Sequence, residues 1–540
     1  MKNENIHESW VLHVEPADED LPSIRLQLAG FKYLPKISVV LVVSDPDEIW
    51  MKRSIESVLN QLYPHVELCI CDNVSERPHV KEVLEEVAGA DDRVKVCFLE
   101  EPGNLEKAYN RALYMTTGDF VALLGQGDEL SPVALFSVAE LLQHVEADVV
   151  YSDENFIDIS NIRSNLVLKP HWSPDLLLST GYIGRLSVLR KDVVSDAGNL
   201  RENFEANAEH DLLLRIAERT NRFHHLPRVL YHRRSYQAEL VREQPEQGNL
   251  LNAARKALKR AGTRASAKPG ITKDSVRVVR DLPGEPTVTV IALASKGAPT
   301  GHIEELERNT SHPIHETIVA EAEERLPVGG RTANVFAAQA ANIAAGTATG
   351  EYLLFISGHT KPSSSDWLAE LLREAQRDEV GLVGGRILDS EGGIRHAGSF
   401  SNLKGLADSP SKADPVEGLR FRPVLDHLFN PYAVTIEGMM VRRSIFEEMD
   451  GFDEDKLPTA FYDIDLSFRL REKGLLNVYT PYSSLVCGGA VQPFPSAGEI
   501  EYMWTRWWSE LVASFFYAQS PLQIMQEGID RELVSLISTR

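Results

Sequence analysis

One segment of this chain occurs twice. Asn110-Arg-Ala-Leu-Tyr-Met-Thr-Thr-Gly-Asp-Phe-Val-Ala-Leu-Leu124 is matched position by position by Asn342-Ile-Ala-Ala-Gly-Thr-Ala-Thr-Gly-Glu-Tyr-Leu-Leu-Phe-Ile356. Each copy runs from a helical pattern through a small-residue turn, Thr117-Gly118 or Thr349-Gly350, into a run of apolar and aromatic residues. Such a run bounded by turn residues suits a strand buried on both faces, as in a parallel sheet. The repeat extends further. Thr287-Val-Thr-Val-Ile-Ala-Leu-Ala294 resembles Lys36-Ile-Ser-Val-Val-Leu-Val-Val43, and Phe461-Tyr-Asp-Ile-Asp-Leu-Ser-Phe-Arg-Leu470 echoes His210-Asp-Leu-Leu-Leu-Arg-Ile216. Two copies of one α/β unit is the economical solution.

The first copy spells out the unit. Strands are expected at Lys36–Val43, Val66–Cys71, Val94–Leu99 and Phe120–Leu124, alternating with helices at Glu48–Gln61, Val80–Val87 and Leu105–Met115. That alternation predicts a doubly wound α/β sheet with its ligand beyond the carboxyl ends of the strands. At 540 residues the chain is too long for one core. The expected division is a lead-in over 1–35, a first α/β domain over 36–263, a linker over 264–286, a second α/β domain over 287–490 and a helical segment over 491–540. The linker rests on the Lys, Arg, Gly and Pro content of Arg264 to Pro286. The last segment is aromatic (Tyr502, Trp504, Trp507, Trp508, Phe515, Phe516) and reads as a packing helix or as a face for lipid or a partner.

Charge excludes some classes. The formal net charge of −23 leaves no overall basic footprint for nucleic acid. Four cysteines make no disulfide framework, and Cys69 and Cys71, alternating in one strand, read as buried small hydrophobes. Met1–Trp10 is polar, without the apolar core of a signal peptide. No apolar run approaches the roughly 18–20 residues that cross a bilayer. The expectation is a cytoplasmic, reducing location, with the inner face of the membrane as a peripheral site.

The series Ile37-Ser-Val-Val, Ser57-Val-Leu-Asn-Gln-Leu-Tyr, Glu67-Leu-Cys-Ile-Cys-Asp72, Asn110-Arg-Ala-Leu and Thr117-Gly-Asp-Phe-Val-Ala-Leu-Leu124 resembles family 2 glycosyltransferases. So do Lys169-Pro-His-Trp-Ser-Pro-Asp-Leu-Leu-Leu178, Tyr182-Ile-Gly184 and Val229-Leu-Tyr-His232. The second half looks like another copy through Gly384-Gly385, Ile394-Arg-His-Ala-Gly398, Glu437-Gly-Met-Met-Val-Arg-Arg443 and Gly451-Phe-Asp453. The resemblance implies two tandem glycosyltransferase-A-type domains, with a nucleotide sugar as donor, a glycan as acceptor and inverting transfer. It also implies a divalent Mn or Mg cation to offset the charge of the leaving diphosphate. A separate carboxylate would take the proton from the acceptor hydroxyl.

Carried over residue by residue, the resemblance gives Asp72 and Asn73 to the nucleotide, together with Asp128. It gives the base segments to Glu209 and Asp211 in the first copy and to Asp463 and Asp465 in the second. It gives His232 and His359 to the metal. Turn, helix-cap and helix-dipole roles are the structural alternatives for Asp72, Asp128 and the Asp463–Asp465 pair. The metal loops depart from the pattern. Where relatives show Asp-x-Asp-Asp, this chain has Gly125-Gln126-Gly127-Asp128, and where they show Asn-Asn-Asp-Thr the second copy has Ser357-Gly358-His359-Thr360. Cys487 stands where a closing histidine is usual. Three readings follow: transfer at an altered site; transfer without metal, with Lys107, Arg111, Arg185 and Arg201 as cations for the diphosphate; or a non-catalytic scaffold, glycan-binding or regulatory partner of another transferase or of itself.

Overall fold

The structure, a computed structural model, describes residues 20–202, 208–235, 247–295, 301–328, 331–335, 337–358, 360–398, 422–487 and 495–518. Its first sheet contains β1 (Ile37–Val43), β2 (Val66–Asp72), β3 (Val94–Phe98), β4 (Phe120–Leu124), β5 (Glu129–Leu130), β6 (Val149–Ile157), β7 (Arg163–Val167), β8 (Ser187–Arg190) and β9 (Phe223–Arg234). The order is β3-β2-β1-β4-β8-β6-β9-β5, with β7 on β6. Strands β1 to β4 are parallel to one another, and β8 joins β4 antiparallel. Every residue of β1, β2 and β4 is buried, which is why these runs lack the alternation of a one-sided strand.

Next comes a hairpin, β10 (Ala265–Pro269) and β11 (Val276–Arg280). It falls where a linker was expected. Its basic, Gly- and Pro-bearing sequence conceals Ala267, Val276 and Val278, which pack with Leu250, Ala254 and Leu258 of the helix Gln247–Arg260.

The second sheet contains β12 (Val288–Ser295), β13 (Glu316–Val328), β14 (Arg331–Val335), β15 (Tyr352–Ser357), β16 (Thr360–Pro362), β17 (Val380–Leu388), β18 (Ile394–His396), β19 (Met439–Arg442) and β20 (Leu476–Cys487). Its order, β14-β13-β12-β15-β19-β17-β20-β16, retraces the first sheet. The duplicated α/β architecture is therefore present. One strand differs: β14 returns antiparallel on β13, whereas β3 lies parallel to β2 after the helix Pro78–Ala90.

Two devices recur in both copies. Glu67, on β2, accepts from Ser38 Oγ (2.7 Å), Thr117 N (2.5 Å) and Thr117 Oγ1 (2.8 Å), and pairs with Lys36 and Lys95. It thereby fixes the turn that opens β4. A Cβ on Gly118 would lie 2.5 Å from Lys36 O, so that turn needs glycine. Glu316 repeats this with Thr289 Oγ1 (2.6 Å), Thr349 N (2.6 Å) and Thr349 Oγ1 (2.8 Å). The second device is an ion pair one helical turn long. Asp211 binds Arg215 at 2.8 Å, and Arg215 donates to the carbonyls of Ala197 and Asn199. Asp465 binds Arg469 at 2.7 Å, and Arg469 donates to those of Met449 and Gly451.

The helix Ala497–Ala518 closes the second half. It buries Met503, Trp507 and Leu511, and Trp507 Nε1 donates to Asp465 Oδ1 at 2.8 Å. That observation favours the packing role for the described part, and Phe515 and Phe516 lie outside the residues whose side chains are described. Among the described residues no helix is long and apolar enough to cross a membrane.

The halves meet through the Lys169–Leu178 segment. Asp175 accepts from Arg377 (2.9 and 3.0 Å), Arg280 (3.4 Å) and Asn430 Nδ2 (2.8 Å), while Glu374 binds Arg280 (2.7 Å) and Arg377 (3.0 Å). Ser173 and Asn430 exchange further bonds at 3.0 Å. Leu176 packs with Ala397, Val424, Leu425, Phe429 and Tyr479. A charge network this buried is tolerable only because each acid faces several donors.

Candidate functional site

Beyond the carboxyl ends of β1, β2 and β4, three loops converge where the strand order reverses, the expected ligand position of an open α/β sheet. Ser44 N, after β1, donates to Gln126 Oε1 of the loop after β4 at 2.7 Å. Asp72 ends β2 and turns back on itself, accepting from Ser75 N (3.3 and 3.2 Å) and Ser75 Oγ (2.5 Å). Those bonds hold Val74 at φ 57°, a costly conformation for a β-branched residue. Asn73 pairs with Gly103 through both side-chain atoms, at 3.1 and 3.0 Å.

The loop after β4 is closed by Asp128. Its carboxylate accepts from the Tyr231 hydroxyl (2.6 Å) and Arg234 N (2.8 Å), and Tyr231 in turn accepts from Gly125 N (2.9 Å). Asp128 caps no helix, because the next one begins at Ala134. Burial raises its carboxyl pKa, against Arg185, the Tyr231 hydroxyl and Arg234 N–H, which lower it. A Cβ on Gly125 would lie 2.2 Å from Asp128 Oδ2. The carboxylate of Asp128 thus fills the space that a side chain at position 125 would take.

Glu209 sits in the first turn of the helix Ala208–Ala217 and pairs with Arg185 at 3.2 Å. Burial raises its carboxyl pKa, with Arg185 and Arg233 opposing. Arg185 is held well into its charged form, chiefly by Glu209 and also by Asp128. Its position follows from the sheet. β8 pairs with β4 as Ala122↔Val188 and begins two residues after Arg185, which is an electrostatic neighbour of Asp128 and Tyr231. The Arg185 backbone N donates to Glu154 Oε2 (3.1 Å), and Glu154 also binds Lys169 (2.9 Å) and Arg233 (3.4 Å). Burial alone would raise the Glu154 pKa, but Lys169 and Arg233 hold it at about 2. Gly184 permits this approach: at φ 68°, a Cβ there would meet Glu154 Oε2 at 2.7 Å and Lys169 Nζ at 2.8 Å.

The remaining expected residues are dispersed. Asp211 is fully buried in its pair with Arg215, away from Arg185 and Glu209, and Asp465 is likewise committed to Arg469 and Trp507. His232 is buried on β9 with Nδ1 at 2.7 Å from Asn155 Oδ1. Of the four cations named from sequence, Lys107, Arg111 and Arg201 are exposed, and Arg185 pairs with Glu209. In the second half, Asp463 accepts from Ile436 N (2.9 Å), and burial raises its pKa. Glu437 is its electrostatic neighbour, paired with Arg395 (3.2 Å) and beside His396 (3.8 Å). His359 lies outside the described residues.

The divalent cation implied by the resemblance finds no fitting set of ligands in the first half. Positions 125 and 127 are glycine, both oxygens of Asp128 already accept bonds, and the Arg185 cation is an electrostatic neighbour of Asp128. Among the described residues no group of three or more His, Cys, Asp or Glu could hold a metal.

Residues 38–181 match the model of glycosyl transferase family 2. The chain is 32% identical over 509 residues to the uncharacterized protein y4gI of Sinorhizobium fredii, covering 88% of this chain and 56% of that one. It is also 32% identical over 506 residues to the O-antigen biosynthesis protein RfbC of Myxococcus xanthus, covering 88% of this chain and 39% of that one. Residues 38–181 are a glycosyltransferase family 2 domain. Both relatives align through the two halves, whereas the family model matches within the first. The chain spans about half the length, or less, of these curated relatives. The crystal structure of S. aureus TarS 1–349 superposes on 42% of this chain and 64% of its own at 16% identity, with a TM-score of 0.34, too loose a match to bear on the site.

Proposed function

We propose that the first half is a glycosyltransferase of polysaccharide assembly, taking a nucleotide sugar as donor and a glycan hydroxyl as acceptor. The observation that carries this reading is Glu209: a carboxylate paired with Arg185 at 3.2 Å, an electrostatic neighbour of Asp128 in the loop after β4, with its pKa raised by burial. In the reaction proposed, the acceptor oxygen attacks the anomeric carbon as its proton passes to Glu209. The bond from that carbon to the diphosphate breaks, and the nucleoside diphosphate leaves with the bonding pair. Asp72 and Asn73 are assigned to the nucleoside, on the rim formed by β2 and the Gly103 loop. Asp211 and Asp465 are assigned a structural role, because each holds an arginine to two backbone carbonyls.

RfbC, by its printed name a protein of O-antigen biosynthesis, supports the polysaccharide class for this chain. A second reading draws on the same ion pair: Arg185 on Glu209 could keep the carboxylate from acting as a base, leaving a protein that binds nucleotide sugar without transferring it. Calorimetric titration with a panel of nucleotide sugars, followed by assay of nucleoside diphosphate release with oligosaccharide acceptors, separates them. Binding with release supports the transferase. Binding without release supports the second reading, and absence of binding overturns both.

A further inference from the structure

We propose that the Arg185 guanidinium takes the place of a divalent cation in the first half, binding the diphosphate of the donor directly. This rests on the reading of that half as a nucleotide-sugar site. Three observations point to it. Arg185 lies two residues before β8, the strand that pairs with β4, and is an electrostatic neighbour of Asp128 in the loop that corresponds to the family's metal loop. The space an acid at 125 would need is filled, since a Cβ there would lie 2.2 Å from Asp128 Oδ2. Arg185 is also held at both ends, by Glu154 at its backbone N (3.1 Å) and by Glu209 at its guanidinium (3.2 Å).

The charges around the site agree. Glu209 feels Arg185 and Arg233 as cations and Asp128 and Glu154 as acids, and Lys169 neutralises Glu154. A site built for a divalent ion presents an excess of acids, because the ion itself supplies the positive charge. Here the acids are already matched by fixed cations, so an incoming metal would meet Arg185. A diphosphate would instead find a guanidinium with spare donors, about 31% exposed and able to bridge two phosphate oxygens. As the diphosphate draws Arg185 toward itself, Glu209 loses part of its ion pair and becomes the freer base. Donor binding thereby readies the proton acceptor.

The test is calorimetric titration of the chain with UDP, dTDP, GDP and ADP and with the corresponding nucleosides, in Mn²⁺ and in chelator. The expected result is diphosphate binding that changes by no more than about twofold between Mn²⁺ and chelator. Arg185→Ala should weaken the diphosphate by about 10- to 100-fold, the range of a lost charge-assisted hydrogen bond, and leave the nucleoside unchanged. Arg185→Lys should fall between, keeping charge without the fork. Thermal unfolding checks that each variant folds, and if Arg185→Ala does not, Arg185→Lys carries the test alone. A requirement for Mn²⁺, or equal loss of nucleoside and diphosphate in a folded variant, overturns the role of Arg185 while leaving the half a nucleotide site. No binding of any nucleotide to the unaltered chain overturns the underlying reading as well.

Discussion

Two residues before β8 the first half carries Arg185; two residues before β19, at the equivalent place, the second carries Glu437. The proposed base position is Glu209, half-buried, in one and Asp463, buried, in the other, each with a raised pKa. Around these exchanged charges the joints are unchanged. Glu67 and Glu316 tie the same turn, and Asp211–Arg215 and Asp465–Arg469 tie the same loop. The contrast separates residues that build the sheet from residues that meet a ligand. An acid in place of Arg185 repels a diphosphate, so the two sites are not interchangeable. The second half docks on the first through Asp175 and closes with its own C-terminal helix.

The sharpest way to break this asymmetry is at the bases. Glu209→Gln should lower transfer by about 10²–10⁴-fold while nucleotide binding persists, and Asp463→Asn should change it by no more than about twofold. Nucleoside diphosphate release measured on both variants checks this. If Asp463→Asn is the damaging change, the assignment of halves is inverted.

The next largest effect belongs to the contact between halves. Asp175→Ala would leave Arg377 and Arg280 buried with less counter-charge, and loss of one partner from such a network costs about 3–5 kcal/mol. Denaturant unfolding of Asp175→Ala should show that loss, with the single transition splitting as the halves uncouple. An unchanged midpoint would mean that the Leu176–Phe429–Tyr479 packing holds the halves without the charges.

Much of this construction was legible in the residues. The buried strands announced themselves as unbroken apolar runs, and the repeated Thr-Gly turn located both β4 and β15. The gaps in the metal loop were visible as letters, since glycine carries no ligand. Arg185 was named with three other cations, and nothing in the sequence singled it out. Its nearness to Glu209 and Asp128 depends on strands and a helix far apart in sequence, which no local pattern encodes. The hairpin at 265–280 was hidden for a different reason. Its apolar residues are few, and their partners lie on a helix whose packing only the fold reveals. Asp211 was carried over from the family resemblance as a candidate base, and its side chain pairs with Arg215 one turn along. An i, i+4 acid–arginine pair was the available signal for that structural role.

A smaller effect is expected at the shared turn device. Glu67→Gln keeps the shape but removes the charge that Lys36 and Lys95 face, and should cost about 1–3 kcal/mol, the range for hydrogen bonds to a charged group. Burial pushes this carboxyl up, but the lysines, Ser38 and Thr117 N–H outweigh it and hold the carboxyl well below its usual range.

Glu316→Gln should cost less, below about 1 kcal/mol, because Glu316 is partly exposed and, among the described residues, no lysine binds it. Its effect is best seen through pH. The Thr289 hydroxyl and the Thr349 N–H lower its carboxyl from 4.5 to about 2. With the folded value depressed, the unfolded chain takes up the proton first as pH falls, so the stabilisation is fully present above 4.5 and is lost between 4.5 and about 2. Glu67 follows the same sign but keeps part of its contribution to lower pH, since its carboxyl is held further down. Acid unfolding followed separately for Glu67→Gln and Glu316→Gln should therefore flatten the stability curve over different windows, with the Glu316 window ending at the higher pH. Coincident windows would show that the extra lysines at Glu67 add nothing beyond the turn bonds that both halves share.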